Sequence, residues 1–520
     1  MRILITLQFV VCALVAFTQS VYERELDNDL NFSVGDIQHL NNGDLLMACQ
    51  ANPASYDSSM AILLRTDSLM NPQWAKRFNI FEKDFVSRIT PLSDGNYLLG
   101  GTARQWVFGT ASASCVYKVD PDGNVLWHKV YNVVPSAYDD SILELFERPD
   151  GSLMIFIRYG VSNYPTKIIH ADASGNVLSA RTYYLDSMGV FAESVARDIN
   201  DTYFMGGTIY HPDTELYSAF VCAVDADFLL WFRRYDFDRD VSCNNIAYTG
   251  DGNLAINGSI PDTLYPNTYN SWIVQLGLQG SVLWANEYGQ EQAFNEFGTG
   301  LTALDDGSLV AVGQANTFAG FDAMAFSVDS SGEVQWGNTY HHYDYQAARA
   351  ATVLPDGRLV VSGTNLTAAY LLQTDHHGVS ACSGSTLNLV HTNLNVAAIP
   401  QTPTEETPEM APTTPEYEVT NLAVNSTEIC NGQVQVEDVE YHSPLLEIYP
   451  VPARKRATIV CSETVEELRV SDVMGRVRVN TGGVEEKSRM ELSLDGWPAG
   501  IYIVQVRAKG KLLLSRLIVE

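Results

Sequence analysis

Apolar and polar residues alternate in short runs through most of the chain, and tight turns join the runs in pairs. Alternation with a period of two is typical of half-buried β-strands. The turn dipeptides, Asn-Gly, Asp-Gly or Asn-Asp, recur about every 52 residues. They tolerate the positive φ that a two-residue hairpin needs, so each predicts a strand-turn-strand unit. The seven turns are Asn42-Gly43, Asp94-Gly95, Asp150-Gly151, Asn200-Asp201, Asp251-Gly252, Asp306-Gly307 and Asp356-Gly357.

Two further markers recur in step with these turns. Six residues after the turn stands a glycine in five repeats, with Cys49 and Ile157 in the other two. Glycine weakens a strand and is tolerated where another backbone comes close. A later strand carries a tryptophan in five repeats, with Ser179 and Cys382 in the remaining two. The markers are Gly101, Gly207, Gly258, Gly313 and Gly363, and Trp74, Trp127, Trp231, Trp284 and Trp336.

Each repeat therefore predicts four short strands, the pattern of one propeller blade. Seven repeats from about Asn31 to Ser383 predict an all-β fold with a seven-bladed β-propeller across residues 21–385. A stack of open sheets is the alternative, although it would leave long apolar edges exposed. The segment from Tyr22 to Asp27 resembles the outer strands of the repeats, which predicts that it pairs with the last blade.

After the repeats, residues 386–445 form a segment whose centre is rich in Pro, Thr and Glu. Such a composition cannot bury a core, so we expect an extended and mobile linker. Two β-like runs flank it, and their antiparallel pairing would bring Cys382 and Cys430 to the same end. An exported location permits a disulfide between them, and two unrelated thiols are the alternative.

The last 75 residues, 446–520, again alternate apolar and polar positions between Gly and Pro, as in a small antiparallel sandwich. Together their motifs resemble the type A C-terminal sorting domain of the type IX secretion system, although Val451 stands where that family usually has Asn. An unrelated β-sandwich with a binding role is the alternative. The residues that carry the resemblance are Tyr449, Pro450, Pro452, Asp472, Gly475, Gly500, Tyr502 and Lys511.

This resemblance implies an Ig-like β-sandwich and export through the periplasm to the outer-membrane surface of a Gram-negative bacterium or into the medium. It also implies two partners, the type IX secretion machinery and its sorting protease, and possible attachment to surface lipopolysaccharide. The apolar run within residues 1–20 predicts a signal peptide, and no other segment is long enough to span a membrane.

Charge divides the chain at the same point. The net charge is −30 for the whole chain and +2 for residues 446–520, which leaves −32 for the rest. A change of sign at one boundary indicates two separately used surfaces. The strongly acidic remainder argues against nucleic acid as a partner.

Motifs for the commonest enzyme classes and for phosphate loops are absent. Asp236, Asp238 and Asp240 begin like a calcium loop, but the required Gly and closing Glu are missing, which favours a solvated loop. The pairs His341-His342 and His376-His377 would point to opposite faces of a strand, which favours turn residues over a shared metal. We therefore predict no catalytic residue, no cofactor and no metal site.

Every recurring residue has a structural role, which favours a binding or adhesion module for an extracellular glycan or protein. The segments that vary between repeats would then carry the binding rim, notably Gly160 to Pro165, His211 to Tyr217 and Pro261 to Tyr269. The alternative is a secreted polysaccharide hydrolase or lyase with catalytic groups from several blades. Convergence of such groups, with perturbed pKa values, would distinguish the two.

Overall fold

The computed structural model is all-β: 69% of residues lie in strands, and the residues described below include no helix. It describes residues 18–519 apart from 28–30, 53–58, 81–82, 106–110, 132–140, 159–165, 186–187, 266, 291–294, 318–319, 342–345, 366–367, 381–382, 436–445, 450–452, 462–464, 473–475, 483–488, 495, 499 and 509–510. Residues 17–435 form one compact unit, and residues 436–520 belong to a second. Within the described ranges no helix could cross a bilayer. The predicted signal peptide lies almost wholly outside these ranges.

The first unit begins with β1 (Thr18–Asp27), followed by the four-stranded antiparallel sheets 1 to 4. Their strands are, in sheet 1, β2 (Asn31–His39), β3 (Leu45–Asn52), β4 (Met60–Thr66) and β5 (Pro72–Asn79); in sheet 2, β6 (Lys83–Pro91), β7 (Tyr97–Gln105), β8 (Ala111–Val119) and β9 (Val125–Tyr131); in sheet 3, β10 (Ser141–Glu147), β11 (Leu153–Arg158), β12 (Lys167–Ala171) and β13 (Val177–Tyr184); and in sheet 4, β14 (Gly189–Arg197), β15 (Tyr203–His211), β16 (Leu216–Val224) and β17 (Leu229–Asp236).

Sheets 5 to 7 repeat this order, and sheet 7 takes β1 as its fourth strand. The strands are, in sheet 5, β18 (Ser242–Tyr248), β19 (Leu254–Pro261), β20 (Tyr269–Leu276) and β21 (Val282–Gly289); in sheet 6, β22 (Glu296–Ala303), β23 (Leu309–Thr317), β24 (Gly320–Val328) and β25 (Val334–Tyr340); and in sheet 7, β26 (Gln346–Val353), β27 (Leu359–Asn365) and β28 (Ala369–Thr374). Glu23 of β1 lies opposite Leu372 of β28, which confirms the predicted pairing of the N-terminal segment with the last repeat.

The recurring turns join the first and second strands of each sheet. As the sequence predicts, their second residue has positive φ in every repeat, from Gly43 to Gly357 and including Asp201. The loop is longer than a two-residue hairpin, because Gly43 N–H donates to Leu40 O and Leu40 N–H to Asp44 O. This is a type I turn followed by one left-handed residue, so only the last loop position requires positive φ.

Each sheet packs face to face on the next one, and sheet 7 packs back on sheet 1 through β26 and β2. Seven apolar clusters lie between neighbouring sheets, one for each contact. In the cluster between sheets 7 and 1, for example, Leu26 and Leu371 meet Phe32 and Met47, all at most 1% exposed. The contacts therefore close a cycle in which each sheet buries both of its faces.

The predicted mobile linker is in fact ordered from residue 384 to residue 435 and belongs to the first unit. It runs past the sheets in reverse order and adds an outer strand to each except sheet 2, to which it contributes the single bridge Thr413–Val130. We call residues 384–435 the belt. Its strands are β29 (Gly384–Thr386) on sheet 6, β30 (Val390–Asn393) on sheet 5, β31 (Ala397–Pro400) on sheet 4, β32 (Thr404–Glu406) on sheet 3, β33 (Glu418–Asn421) on sheet 1 and β34 (Asn425–Gln435) on sheet 7.

The expectation that the two β-like runs pair with each other is wrong, since the first run pairs with sheets 6 and 5 and the second with sheets 1 and 7. The physical reason lies in the unpaired edges of the fourth strands, which offer backbone donors and acceptors to a short extended segment. Single apolar side chains of the belt, such as Leu387, Leu394 and Leu422, also dock on the clusters between sheets. The composition of the segment reveals neither the pairing with sheet edges nor these apolar contacts.

Cys430 of β34 is disulfide-bonded, whereas Cys49, Cys115, Cys222, Cys243 and Cys461 are free. Cys382 lies outside the described residues, so its pairing with Cys430 stays a prediction.

The second unit contains two antiparallel sheets around one apolar core, in which Ile459 and Leu492 of one sheet meet Val470 and Val504 of the other. The first sheet has the order β35-β36-β39 and the second β38-β37-β40-β41. The strands are β35 (Leu446–Tyr449), β36 (Arg456–Cys461), β37 (Val465–Asp472), β38 (Val477–Gly482), β39 (Arg489–Ser493), β40 (Gly500–Ala508) and β41 (Lys511–Val519).

Candidate functional site

The marker glycines lie on the second strand of each sheet, directly opposite the first strand. A Cβ on Gly313 would lie 1.8 Å from the carbonyl oxygen of Phe297, and one on Gly101 equally close to that of Phe85. The same clash, at 1.7 to 2.1 Å, would arise at the other three. These positions therefore require glycine because a carbonyl of the first strand occupies the place of a side chain.

Next to each marker position the first strand carries a β-bulge, so that one residue has no cross-strand partner. The bulged residue always stands fourteen positions before the marker. A bulge re-aims the neighbouring side chains, and in every sheet the bulged residue or the residue after it lines one cavity. The bulged residues are Gly35, Ser87, Leu143, Glu193, Asn244, Thr299 and Arg349.

These first strands enclose a cavity of about 560 Å³, which we call the axial cavity. All seven sheets contribute to its wall, and the lining is mostly polar and charged. Its charged residues are Asp36, Arg88, Glu144, Glu193 and Arg349, and its amide and hydroxyl residues include Asn244, Asn245, Ser194, Thr299 and Thr302. A volume of this order suits a small ligand.

The acidic side chains of the cavity are held by neighbouring strands. Asp36 accepts backbone hydrogen bonds from Ile37 (2.7 Å) in its own strand and from Ile89 (2.8 Å) in the next sheet. Glu144 accepts one from Leu145 (3.1 Å) and lies 3.4 Å from Arg88. Each carboxylate thus stabilises a bulge as well as facing the cavity.

Burial perturbs the titration of these groups. It raises the pKa of Glu144 to about 7, against the attraction of Arg88 and with a smaller contribution from the charge of Asp36. Burial also raises the pKa of Asp36, opposed chiefly by Arg88, and that of Glu193, which forms an ion pair with Arg158. A quarter of the Glu144 side chain is exposed, so its carboxyl remains accessible from the cavity.

The predicted binding rim lies elsewhere. The His211–Tyr217 and Pro261–Tyr269 segments connect second and third strands of sheets 4 and 5, and none of their described residues lines the axial cavity. In the first of them the rings of Tyr210 and Tyr217 lie 4.9 Å apart. The Gly160–Pro165 segment falls outside the described residues.

The tryptophans lie on fourth strands and pack against the third-to-fourth-strand turn of the next sheet. Trp284 Nε1 donates to Ser330 O (2.9 Å), and a Cβ on Gly332 would lie 3.0 Å from its ring. Four residues after four of the five tryptophans, a tyrosine that the sequence analysis missed reaches the same turn, as in Tyr288 to Gly332 O (2.8 Å). The signal was present as the spacing Trp-x-x-x-Tyr. Of the two residues that replace the tryptophan, Ser179 lies on β13, and Cys382 falls outside the described residues.

The three aspartates that begin like a calcium loop do not converge on one point. Asp236 accepts from Ser218, Asp240 from the Tyr217 amide, and Asp238 pairs with Arg239, so the three carboxylates have separate partners.

His376 and His377 lie in a turn, as the sequence predicts, and together with Asp375 they place three possible ligand atoms within 4.8 Å of one another. The imidazoles do not point to opposite faces, since the residues lie in a turn and not in a strand, with ring centroids 3.9 Å apart. One Asp375 oxygen already accepts the amides of His377 and Val379. At the other pair, His341 Nδ1 lies 2.6 Å from Asp322 Oδ1, and His342 is not described.

In the second unit the structure describes several motif residues. Asp472 of β37 lies opposite Tyr502 of β40. The Tyr502 hydroxyl donates to Pro498 O (2.8 Å), and its ring lies 4.8 Å from that of Trp497. Tyr449 ends β35, exposed Gly500 begins β40 and Lys511 begins β41, while Pro450, Pro452 and Gly475 fall outside the described residues.

The family match of the chain lies in this second unit. Residues 447–520 match the family model of the secretion system C-terminal sorting domain. The predicted resemblance to the type IX sorting domain is confirmed. The sorting domain indicates secretion to the cell surface or the extracellular space, and it implies the type IX machinery as a partner. No specific family matches the first unit.

No curated protein matches the chain. Among solved structures, a polysaccharide lyase named as an ulvan lyase is 10% identical, with 68% of this chain and 96% of that chain covered and a TM-score of 0.44. A protein of unknown function from Dyadobacter fermentans is 12% identical (69% and 99% covered, TM-score 0.38), and a glucose dehydrogenase is 11% identical (68% and 99%, TM-score 0.33). Similarities of this size carry no argument about function.

Proposed function

We propose that residues 17–435 form a seven-bladed β-propeller whose axial cavity binds a polar ligand without catalysing a reaction. The seven sheets would be its blades, and β1 would close the ring from the N-terminal side. The closed cycle of sheet contacts supports this architecture. The second unit would be the Ig-like sandwich of the sorting domain, with a signal peptide at residues 1–20 and a sorting protease as a further partner.

A single observation carries the binding role: polar side chains from all seven sheets converge on one cavity. Asp36, Glu144 and Glu193 are all engaged there, with backbone amides or with an arginine. A ligand with several hydroxyl groups matches such a wall, because amide and hydroxyl side chains can donate to it and accept from it. The ligand class is therefore an extracellular glycan or its terminal sugar.

One observation favours the second candidate, a polysaccharide hydrolase or lyase. Glu144 has a pKa of about 7 and lies close to the negative charge of Asp36. A carboxyl group that exchanges protons near neutral pH is suited to general acid or base catalysis. Because this carboxyl also caps its own bulge, we place catalysis second.

The experiment compares binding and turnover for one panel of polysaccharides and chromogenic glycosides, using the mature chain from residue 21. Gly35→Trp serves as the blocking variant, since a Cβ at this exposed glycine would have its nearest neighbour at 3.5 Å and the ring would occupy the cavity. Glu144→Gln tests catalysis, and Glu409→Gln on the exposed belt is the control.

We expect saccharide binding that Gly35→Trp abolishes and that Glu144→Gln and Glu409→Gln leave intact, without turnover. Turnover by the wild type that Glu144→Gln removes and Glu409→Gln retains would establish the enzyme instead. Binding that Gly35→Trp leaves unchanged would place the ligand outside the cavity and contradict the proposal.

A further inference from the structure

We propose that the axial cavity recognises an acidic sugar, and that Arg349 binds its carboxylate. This inference rests on the proposed binding function and narrows its ligand class. Arg349 is the bulged residue of β26, it lines the cavity and it is exposed.

The other arginine that lines the cavity, Arg88, is already engaged, and so is the nearby partner of the lining residue Glu193. Arg88 donates from Nε to Leu143 O (2.6 Å) and from Nη1 to Ser87 O (2.8 Å), and it lies beside Glu144. Arg158 forms its ion pair with Glu193. Arg349, in contrast, has no hydrogen bond or ion pair within the part of the chain that the structure describes. It is the cation of the cavity that a ligand can use.

The position of Arg349 reflects a break in a repeated pattern. Side chains near the bulges link each sheet to the next at six junctions between neighbouring sheets. The links are Asp36 to Ile89 N, Arg88 to Leu143 O, Arg158 to Glu193, Ser194 to Asn245, Asn244 to Gly298 O and Thr299 to Ala348 O.

At the seventh junction, between β26 and β2, the bulged residue Arg349 makes no such link to another described residue. The two bulged residues there are Arg349 and Gly35, and Gly35 has no side chain to accept from the guanidinium. The guanidinium of Arg349 therefore lacks the partner that a side chain on the neighbouring bulge would supply.

A guanidinium presents two parallel N–H groups that fit a carboxylate. In the same wall, Asn244, Asn245 and Thr302 offer the neutral polar groups that sugar hydroxyls require. A ligand that satisfies both parts of the wall carries one carboxylate on a polyhydroxylated ring, which describes a uronic acid. The carboxyl groups of Asp36 and Glu193 in the same wall disfavour a polyanion, because further ligand carboxylates beside them would meet like charge or have to take up protons.

The test measures dissociation constants by calorimetry for glucuronate, galacturonate, glucose, galactose and acetate with the mature chain from residue 21. We expect uronates to bind at least tenfold more tightly than the neutral hexoses, and acetate to bind more weakly than either uronate. Arg349→Gln should remove the preference for uronates and keep hexose binding. Arg349→Lys should keep part of the preference for uronates. Arg456→Gln, an exposed change in the sorting domain, should leave all the dissociation constants unchanged.

Equal affinity for uronates and hexoses, or a preference that survives Arg349→Gln, overturns this inference while leaving saccharide binding intact. Acetate affinity equal to that of the uronates would show a simple anion site and overturn the sugar class. An absence of all saccharide binding would instead contradict the proposed function.

Discussion

Glu23 of β1 lies directly opposite Cys430 of β34 in the strand register. Its carboxylate is fully buried and accepts hydrogen bonds from the hydroxyls of Ser380 and Ser383, which approach from the end of the last repeat. The beginning of the unit, the end of its repeats and the end of the belt therefore meet around one carboxylate. Ser383 is the chain neighbour of Cys382, which supports the predicted partner of Cys430.

We predict that non-reducing peptide mapping recovers Cys382 and Cys430 in one disulfide-linked peptide pair. A bond closing this loop should stabilise the unit by about 3–4 kcal/mol by the chain-entropy estimate. The buried thiols of Cys49 and Cys222, whose pKa values are raised by burial, serve as unreactive controls. Alkylation of both Cys382 and Cys430 without prior reduction would exclude the bond.

Gly313→Ala should destabilise the first unit strongly, because the added Cβ would lie 1.8 Å from Phe297 O. We expect a loss of about 2–4 kcal/mol in the free energy of unfolding, measured by urea denaturation. Gly384→Ala is the matched control, since its Cβ would have its nearest neighbour at 3.6 Å on an exposed strand. Equal stabilities of the two variants would show that the carbonyl contact does not require glycine.

Glu296 should make stability depend on pH. It is fully buried, Gln290 donates to one of its oxygens (2.8 Å), and the other oxygen has no described partner. Burial raises its pKa to about 7, above the unfolded value of 4.5. A carboxyl group with a raised folded pKa contributes stability that is fully present below the unfolded pKa and is lost as the pH rises through the folded one.

Glu296→Gln should therefore increase the free energy of unfolding at pH 8 by roughly 2–3 kcal/mol and leave it nearly unchanged at pH 4. Denaturation curves at a series of pH values measure the difference. The exposed Glu409→Gln variant should run parallel to the wild type. Parallel curves for wild type and Glu296→Gln would show that folding does not shift the pKa of Glu296.

Hydrogen exchange should reveal an ordered belt. The amides that donate to the fourth strands belong to Leu387, Leu394, Gln401, Thr413 and Leu422. We expect these amides to exchange slowly, because opening them requires detachment from a sheet. The amide of Glu409, which donates no described backbone bond, should exchange fast. Uniformly fast exchange across residues 384–435 would show that this segment is a mobile linker after all.

Deletion of Lys511–Glu520 should stop delivery to the surface or medium and leave the protein in the periplasm. β41 pairs along its whole length with β40 and places Leu517 and Val519 in the core, so its loss unfolds the sorting domain. Immunodetection in periplasmic, surface and medium fractions measures the effect. Normal delivery of the truncated chain would show that export does not require this strand.

The sequence predicted the repeated sheets well, because turn dipeptides and marker glycines report local backbone needs that recur in each unit. It failed on the belt, because strands of three or four residues show no readable alternation and owe their order to distant edges. The axial cavity could not be predicted from the sequence for a different reason. Its side chains share a position, mostly thirteen or fourteen residues before a marker, but not a residue type, so a search for recurring residues passes over Arg349 and Glu144.

The order in which the belt contacts the sheets also bears on how the chain folds. Sheet 7 contains β1 from the start of the unit and β34 from its end, so it cannot be completed until residue 435 is available. A chain that emerges from its N-terminus therefore carries β1 unpaired while most of the unit is still being delivered. Contacts of such sequence separation make folding slow. The final structure must then form after translocation of the unit rather than during it.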